Sequence, residues 1–312
     1  MAWVSLSLKF PMVELRAQFN SEGLSVVGPR AHIAYGYADR LAARRPPTRQ
    51  TDVEIEWAIP SHMGLGADPA LGMAVACALA GVRGEAKVDT VALLRDLGLL
   101  AEPAAWGVVR GGLLLVAADP SAAATQVLRH AALAHASEDE DWVLVFVLPR
   151  SPEGTPSDFE SSRSAALRAA AARLDADAAY AAQTRMFAAV EADDLQAFAD
   201  AWIALDQANR AALLLANSLP SETDAAQGVL AVMREQGTLL AGQCLTGLAL
   251  FGLIHGAAAS QRLRKALRAC IGHEGGTVTA AIMAKTGAEI TSKDGPMRPP
   301  FRSIQMVQQN RP

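Results

Sequence analysis

Apolar and polar positions alternate over several short stretches in the first half of the chain. Alternation with a period of two is typical of half-buried strands, and a short apolar run that ends at a proline is typical of a buried strand. These patterns predict strands at 3–10, 23–27, 31–37, 51–59, 111–117 and 141–149. A helix is predicted at 88–100, and the basic, proline-bearing stretch 41–50 is predicted to be a solvated loop.

Apolar residues recur at helical spacing through most of the second half of the chain. This spacing predicts helices at 162–190, 194–216, 221–236 and 257–270. Asp194, or the residue before it, is a favourable start for the second of these helices, and Gly237 is a favourable end for the third. The remaining predictions are short strands at 238–241 and 277–283 and a loose polar tail at 291–312.

The stretch from Ile59 to Gly81 predicts a strand end, a glycine loop and a buried helix, in that order. Asp68 is placed as the N-cap, Pro69 at the first helical position and Gly81 at the end. The free N–H groups and the positive dipole at a helix start favour anions, so this loop is a candidate phosphate site. A tight strand-to-helix turn without a ligand explains the same glycines.

Composition narrows the class of protein. The 312 residues suit one large or two medium domains, and 51% are hydrophobic, which is ample for a core. A net charge of -4 offers no broad basic surface to nucleic acid. Cys77, Cys244 and Cys270 are far apart in the sequence, which argues against a metal or disulfide framework and favours a cytoplasmic setting. The longest apolar region, 239–254, is shorter than the ~20 residues of a membrane helix, so no membrane is expected as a partner.

Three widespread enzyme signatures are missing from the sequence. It contains no P-loop, no G-x-G-x-x-G after a strand and no G-x-S-x-G elbow. A P-loop kinase, a Rossmann dehydrogenase and an α/β hydrolase are therefore poorly supported.

Six short stretches, taken together, resemble one enzyme family. The most specific is Pro60–Gly66 with His62, which is similar to the family pattern I-P-x-H-x-G-L-G-S-G-T-Q. The other five stretches are 21–30, 109–113, 141–149, 242–247 and 287–288. They are similar to an early proline segment, a glycine pair, a tryptophan-led strand, a G-Q-S-S-x-G loop and a closing G-A. Their order resembles the GHMP kinase superfamily, and within it the β-ribofuranosylaminobenzene 5'-phosphate synthase family.

The resemblance implies an α+β, GHMP kinase-like fold with two domains. Residues 1–150 would form an N-terminal domain like that of ribosomal protein S5, and 151–290 a ferredoxin-like helical domain, before the tail. The family joins phosphoribosyl pyrophosphate to 4-aminobenzoate, with loss of carbon dioxide and pyrophosphate, in tetrahydromethanopterin biosynthesis. The implied partners are a phosphorylated sugar or nucleotide and a small aromatic acid. The implied assembly is a homodimer or a hetero-oligomer with a paralogue.

The resemblance also implies a set of site residues. His62 would orient the substrate or transfer a proton, Arg110 would clamp an anion, and Asp68 would hold Mg²⁺. The plainer alternatives are a histidine packed at a strand end and a surface arginine. The residues expected to bind the phosphorylated ligand or cofactor are Gly64, Leu65, Gly66, Ala67, Gly242 and Gln243. The Gln243 side chain is expected to hydrogen-bond backbone, and Cys244 to be a small buried residue.

Four motifs depart from the family pattern. The family continues its glycine loop with Ser-Gly-Thr, whereas Ala67-Asp68-Pro69 follow here. The new carboxylate can take the free N–H groups itself and repel a phosphate, or it can hold Mg²⁺. Cys244-Leu245 replace two serines, 102–108 replaces an R-S-G-I-G segment, and an early F-G-L-x-D segment is not visible. These changes favour a second hypothesis, a catalytically degenerate paralogue that serves as a binding or partner subunit. A third hypothesis is a small-molecule kinase that uses ATP.

Overall fold

A computed structural model describes most of the chain. The described residues are 2–9, 13–45, 50–84, 89–117, 127–132, 142–150, 155, 158–170, 173–216, 223–293 and 303–307. Two compact units divide the chain: unit 1 comprises Met1–Ile59, Gly66–His130 and Ala284–Pro312, and unit 2 comprises Pro60–Leu65 and Ala131–Met283. The loop predicted at 151–156 lies largely outside the described residues, so the domain boundary at residue 150 stays a prediction.

The regular elements are numbered in chain order. The strands are β1 Ala2–Leu6, β2 Glu14–Phe19, β3 Ser25–Val27, β4 Thr51–Trp57, β5 Leu113–Ala117, β6 Val127–Ala131, β7 Trp142–Leu148, β8 Leu240–Gln243, β9 Leu250–His255, β10 Thr277–Ile282, β11 Glu289–Lys293 and β12 Ser303–Val307. The helices are α1 Ala31–Arg44, α2 Ala67–Val82, α3 Thr90–Leu97, α4 Pro103–Arg110, α5 Phe159–Ala170, α6 Ala176–Ala192, α7 Leu195–Leu215, α8 Asp224–Glu235 and α9 Ala257–Ile271. No described helix is long and apolar enough to cross a membrane.

Unit 1 contains a five-stranded sheet with the strand order β11-β12-β2-β4-β3. β4 pairs antiparallel with β2 and parallel with β3. Thr51, Val53 and Ile55 of β4 are buried while Glu54 is exposed. This is the alternation that predicted the strand, and the structure confirms it.

The helix that fills the core of unit 1 is α2, and its burial was the expectation from its sequence. Twelve of its residues are buried, because the helix is apolar all round. α1, α3 and α4 pack around it, and it also contacts β2. Gly72 lies against the ring of Tyr37 from α1, where an added Cβ would come within 2.8 Å of ring carbons. This glycine therefore sets how closely α1 and α2 approach.

A second sheet of unit 1 has three strands in the order β1-β5-β6, with α4 packed against β1 and β5. The glycine pair at 111–112 follows α4 and meets the chain near the closing G-A motif. The Gly112 N–H donates to the Ala284 carbonyl at 2.5 Å, and the Ala288 N–H donates to the Val108 carbonyl at 2.6 Å. Two motifs that carried the family resemblance thus form one backbone junction.

Unit 2 contains an antiparallel four-stranded sheet with the order β10-β7-β9-β8. All 7 residues of β7 are buried, in agreement with its uninterrupted apolar run. α8 and α9 cover one face of the sheet, where Val143, Val145 and Val147 join a cluster with Leu230 and Leu263.

The other face of β7 carries a row of aromatic rings. The ring centroids of Trp142 and Phe198 are 5.1 Å apart, those of Phe198 and Trp202 are 5.6 Å apart, and those of Trp202 and Phe251 are 5.2 Å apart. Phe198 and Trp202 belong to α7, so the row fixes that helix against β7 and β9. α5 and α6 pack on α7 in turn.

The strand predicted at 31–37 is wrong, because these residues begin α1. The buried positions Ala34, Ala38 and Leu41 recur at helical spacing, which the sequence reading missed. The basic loop predicted from residue 41 is therefore helical in its first part. Arg45 pairs with the Asp96 carboxylate at 2.7 Å, and 46–49 lie outside the described residues.

Three further parts of the chain differ from prediction. The helical pattern at 162–190 is two helices, because Asp175 caps α6 by accepting the Ala178 N–H at 3.0 Å. The tail contains β11 and β12, with β12 paired between β11 and β2. The rest of the tail, 294–302 and 308–312, lies outside the described residues. β6 was not predicted at all, because its short sequence lacks a clear alternation.

Replacing Gly72 by alanine should destabilise unit 1 by about 1–3 kcal/mol, since the new methyl group must displace the Tyr37 ring. Gly36 provides a matched control one residue before Tyr37, because an added Cβ there meets nothing within 4 Å. Gly36→Ala should stabilise the helix by about 0.5–1 kcal/mol. Urea unfolding of both variants measures the difference, and equal midpoints would contradict the α1–α2 contact.

Candidate functional site

The segment Pro60–Leu65 leaves β4 and is bonded within unit 2 to the late glycine loop. The Leu248 N–H donates to the His62 carbonyl at 2.7 Å, and the Ala249 N–H donates to the Met63 carbonyl at 3.2 Å. The segment with the most specific resemblance to the synthase family, Pro60–Leu65, is therefore held beside the late glycine loop.

Gly64 and Gly247 form the closest backbone approach of this pair of segments. A Cβ on Gly64 would lie 2.6 Å from the Gly247 nitrogen, and a Cβ on Gly247 would overlap the Gly64 backbone. Gly64 also has a φ of 75°, which side-chain-bearing residues rarely adopt. The glycines of this loop thus have a packing reason independent of any ligand.

His62 has a left-handed backbone conformation, with a φ of 68°. Such a conformation costs an L-residue about 1–2 kcal/mol and is often found at functional sites. The imidazole is half-buried and meets the ring of Phe159 edge-on, with the centroids 5.8 Å apart. The turn at His62 therefore aims its side chain at the start of α5.

Gln243 holds the late loop in shape. Its buried side-chain amide donates to the Gly247 carbonyl at 3.4 Å. The backbone carbonyl of Gln243 accepts from the Arg210 guanidinium at 3.2 Å. Gly242 packs under the ring of Phe251, where an added Cβ would be 3.2 Å from a ring carbon. The roles of Gly242 and Gln243 in ligand binding stay predictions.

The first turn of α5 lies on the same segments of unit 2. The Glu160 carboxylate accepts the Gly64 N–H at 2.5 Å, and Arg163 donates to the Gly247 carbonyl at 3.5 Å. The Arg163 guanidinium also lies 4.4 Å from the centre of the Phe159 ring. Burial lowers the pKa of this guanidinium from its ordinary value. Nothing near Glu160 in the sequence marked it for this position.

The start of α2, in unit 1, differs from the sequence prediction. Gly66 is the N-cap, with a φ of 66°, and an added Cβ there would overlap Ala104 of α4. Asp68 is therefore inside the first turn and is not the cap as predicted, because the left-handed glycine ends the loop two residues earlier. The N–H groups of Ala67 and Asp68 have no acceptor within the helix. Pro69 has no backbone N–H group.

Asp68 is paired with Arg30, a residue that the sequence reading did not single out. The Arg30 guanidinium binds one oxygen of the Asp68 carboxylate and donates to the Ile59 carbonyl at 3.0 Å. The Arg30 side chain is 12% exposed and that of Asp68 is 44% exposed. The carboxylate is therefore accessible to solvent, while the arginine is largely covered. Arg30 therefore balances the charge of the Asp68 carboxylate.

Arg110 is exposed at the C-terminal end of α4, next to the glycine junction with Ala284. Its position follows from the helix end and the left-handed Gly111, with a φ of 68°. Its predicted role as an anion clamp stays a prediction.

Cys244 stands where the family has a serine, and its thiol is not activated. Burial, with smaller contributions from the Glu160 and Asp206 carboxylates, raises the pKa of the Cys244 thiol to about 12. The thiol is therefore protonated near neutral pH and is a poor nucleophile. Among the residues that the structure describes, no group of three or more His, Cys, Asp or Glu side chains could hold a metal ion.

Neither a protein-family model nor a curated protein matches the sequence. Solved structures, in contrast, match the structure of the chain. The homoserine kinase from Cytophaga hutchinsonii ATCC 33406 is 15% identical, with 91% of this chain and 90% of that chain covered and a TM-score of 0.60. The mevalonate diphosphate decarboxylase from Staphylococcus aureus is 16% identical, with 93% and 89% covered and a TM-score of 0.63. MDDEF in complex with MVAPP, AMPPCP and magnesium is 13% identical, with 91% and 89% covered and a TM-score of 0.61.

These similar structures are members of the GHMP kinase superfamily. The chain has a GHMP kinase-like fold. The predicted fold class is confirmed. Within this GHMP kinase-like fold, unit 2 brings His62 and Gly64 together with the late loop, and unit 1 places Asp68 beside Arg30.

The three cysteines should react with thiol reagents at very different rates. Burial raises the pKa of Cys77 to about 12 as well, whereas Cys270 is exposed on α9. A thiol reagent such as DTNB at pH 8 should therefore modify one cysteine in the folded chain, and Cys270→Ser should abolish that signal. Rapid modification of Cys244 in the native protein would contradict the raised pKa of its half-buried thiol.

Substitutions at His62 should reveal the backbone strain. Glycine relieves the left-handed conformation and alanine keeps it, while both lose the contact with Phe159. His62→Gly should therefore be more stable than His62→Ala by about 1 kcal/mol, measured by urea unfolding. If His62→Ala proved the more stable variant, the left-handed turn would not be formed in solution.

Proposed function

We propose that the chain binds phosphoribosyl pyrophosphate at its glycine loop and joins it to 4-aminobenzoate, as β-ribofuranosylaminobenzene 5'-phosphate synthases do. The observation that carries this proposal is the ion pair between Arg30 and Asp68. Without Arg30, the carboxylate would make the start of α2 repel a phosphate. With it, the helix start is locally neutral, and the N–H groups of Ala67 and Asp68, which have no intrahelical acceptor, lie at that start.

The chemistry would be displacement of pyrophosphate at the anomeric carbon of the sugar by the ring carbon of 4-aminobenzoate that bears the carboxylate. The bond from that ring carbon to the carboxylate then breaks, its electron pair returns to the ring, and carbon dioxide leaves. The N–H groups of Ala67 and Asp68 and the Arg30 guanidinium would stabilise the charge of the departing pyrophosphate. His62 would orient the second substrate, and Arg110 would bind its carboxylate or a phosphate. Gln243 would act through the shape of the late loop. Such a reaction depends mainly on positioning and charge neutralisation.

Asp68 suits Mg²⁺ as a single protein ligand. Mg²⁺ commonly takes one or two carboxylates and fills its other positions with substrate phosphates and water. Arg30 binds Oδ1 of Asp68, so the partly exposed side chain can offer its second oxygen. When bound, Mg²⁺ would neutralise part of the pyrophosphate charge.

A second candidate function is a non-catalytic binding or partner subunit of an active paralogue. The Glu160 carboxylate favours it, because Glu160 accepts the Gly64 N–H within the very loop that would bind phosphate. A third candidate is a kinase that uses ATP, and the loss of Ser-Gly-Thr at Ala67, Asp68 and Pro69 counts against it as it counts against the synthase.

Calorimetry with phosphoribosyl pyrophosphate and with ATP, each with and without Mg²⁺, tests the proposal. The sugar pyrophosphate should bind in a Mg²⁺-dependent manner and ATP should not. Asp68→Asn should remove most of the Mg²⁺ dependence. Carbon dioxide and pyrophosphate should be released only when 4-aminobenzoate is added.

Arg30→Gln should weaken binding of the sugar pyrophosphate about tenfold or more, since the Asp68 charge is then uncompensated. Arg234→Gln, at an exposed position in α8, is the matched control and should bind as the wild type does. Thermal unfolding verifies that both variants fold. Binding of ATP alone would favour the kinase, and binding of neither ligand would favour the partner subunit.

A further inference from the structure

The first turn of α5 contacts the glycine-loop segments of unit 2 at three points. The Phe159 ring meets His62, Glu160 accepts the Gly64 N–H, and Arg163 reaches the Gly247 carbonyl. Phe159 and Arg163 are four positions apart and share one face of the helix, whereas Glu160 is adjacent to Phe159 and lies about 100° further round the helix. The first turn of α5 therefore contacts both the Pro60–Leu65 segment and the late glycine loop.

The turn itself is held in place by Asp158. Its carbonyl accepts the Ser162 N–H at 2.8 Å, and its carboxylate accepts the Ser162 hydroxyl at 2.9 Å. The Glu160 side chain is thereby presented from a fixed helix start. Its charge is felt in the loop, because the same carboxylate contributes to the raised pKa of Cys244.

We propose that Glu160 sets the ligand affinity of the glycine loop, because its carboxylate occupies the Gly64 N–H and competes with any anion for it. The bond is of the kind that a phosphate oxygen would make there, an N–H donor with a charged acceptor. A phosphate that approached the loop would also meet the negative charge of Glu160. Binding therefore requires the carboxylate to move away, at a cost to affinity.

This inference rests on the proposed function, since it assumes that the loop accepts an anionic ligand. It adds a determinant that the family resemblance did not supply. It also links the two candidate functions, because a carboxylate that the ligand displaces is compatible with an enzyme, and one that stays in place is compatible with a partner subunit.

The test is calorimetric titration of inorganic pyrophosphate and of phosphoribosyl pyrophosphate into the full chain and three variants. Glu160→Ala should bind pyrophosphate about tenfold more tightly than the wild type, and Glu160→Gln should be intermediate, because its amide oxygen accepts the N–H without a charge. Glu235→Ala removes an exposed carboxylate from the end of α8 and should leave the affinity unchanged.

Amide exchange of Gly64, followed by NMR, reports the contact independently of any ligand. Exchange should accelerate in Glu160→Ala and not in Glu235→Ala. Unchanged exchange would overturn the inference, because the hydrogen bond would then not exist in solution. Unchanged or weaker pyrophosphate binding by a folded Glu160→Ala variant would also overturn it.

The two proposals fail in different ways. If Glu160→Ala binds pyrophosphate more tightly but neither protein binds phosphoribosyl pyrophosphate, the competition stands and the synthase function is wrong. If both proteins bind phosphoribosyl pyrophosphate equally, the synthase function stands and the competition is wrong. If no anion binds either protein, both proposals are wrong.

Discussion

The backbone contact between Gly64 and Gly247 constrains the candidate site more than any side chain does. The Leu248 and Ala249 N–H groups donate to the carbonyls of His62 and Met63. These two hydrogen bonds hold the two loop segments so close that neither Gly64 nor Gly247 has room for a Cβ. The left-handed turn at His62 is part of the same arrangement. The loop therefore has a fixed shape in unit 2, and its chemistry depends on which charged groups reach it.

Two carboxylates reach the segments that would bind phosphate, and their partners differ. Asp68 is matched by a largely covered guanidinium, which leaves the start of α2 close to neutral. The described contact of the Glu160 carboxylate is with the Gly64 N–H, which is a dipole and not a full positive charge. The same N–H group could donate to a bound ligand. The ion pair leaves the helix start of unit 1 close to neutral, whereas the Glu160 contact occupies an N–H group of unit 2. The balance of these two effects separates an enzyme from a binding subunit.

Periodic patterns predicted the parts of the fold that depend on local sequence. β4 follows from its alternation, β7 from its apolar run, and α7 from the capping residue Asp194, which accepts the Ala197 N–H at 2.9 Å. α1 was not predicted, because three of its four buried residues are small alanines. The contact of Glu160 with Gly64 joins residues 96 positions apart, and that of Arg30 with Asp68 joins residues 38 apart. No local pattern encodes such pairs, so the glycine loop could be predicted and its charge environment could not.

The glycines of the loop are weaker indicators of a phosphate ligand than their pattern suggests. Gly64 is required by Gly247, and Gly66 is required by Ala104 and by its own left-handed conformation. Packing alone would therefore retain the G-L-G pattern in a chain that had lost its ligand. The changes from the pattern of the synthase family remove hydroxyl groups at Ala67 and Cys244 and put Asp68 in the place of a glycine. The charged side chains of each unit therefore matter more than the glycines: in unit 1 Arg30 pairs with Asp68 at the start of α2, and in unit 2 the Glu160 carboxylate accepts the Gly64 N–H.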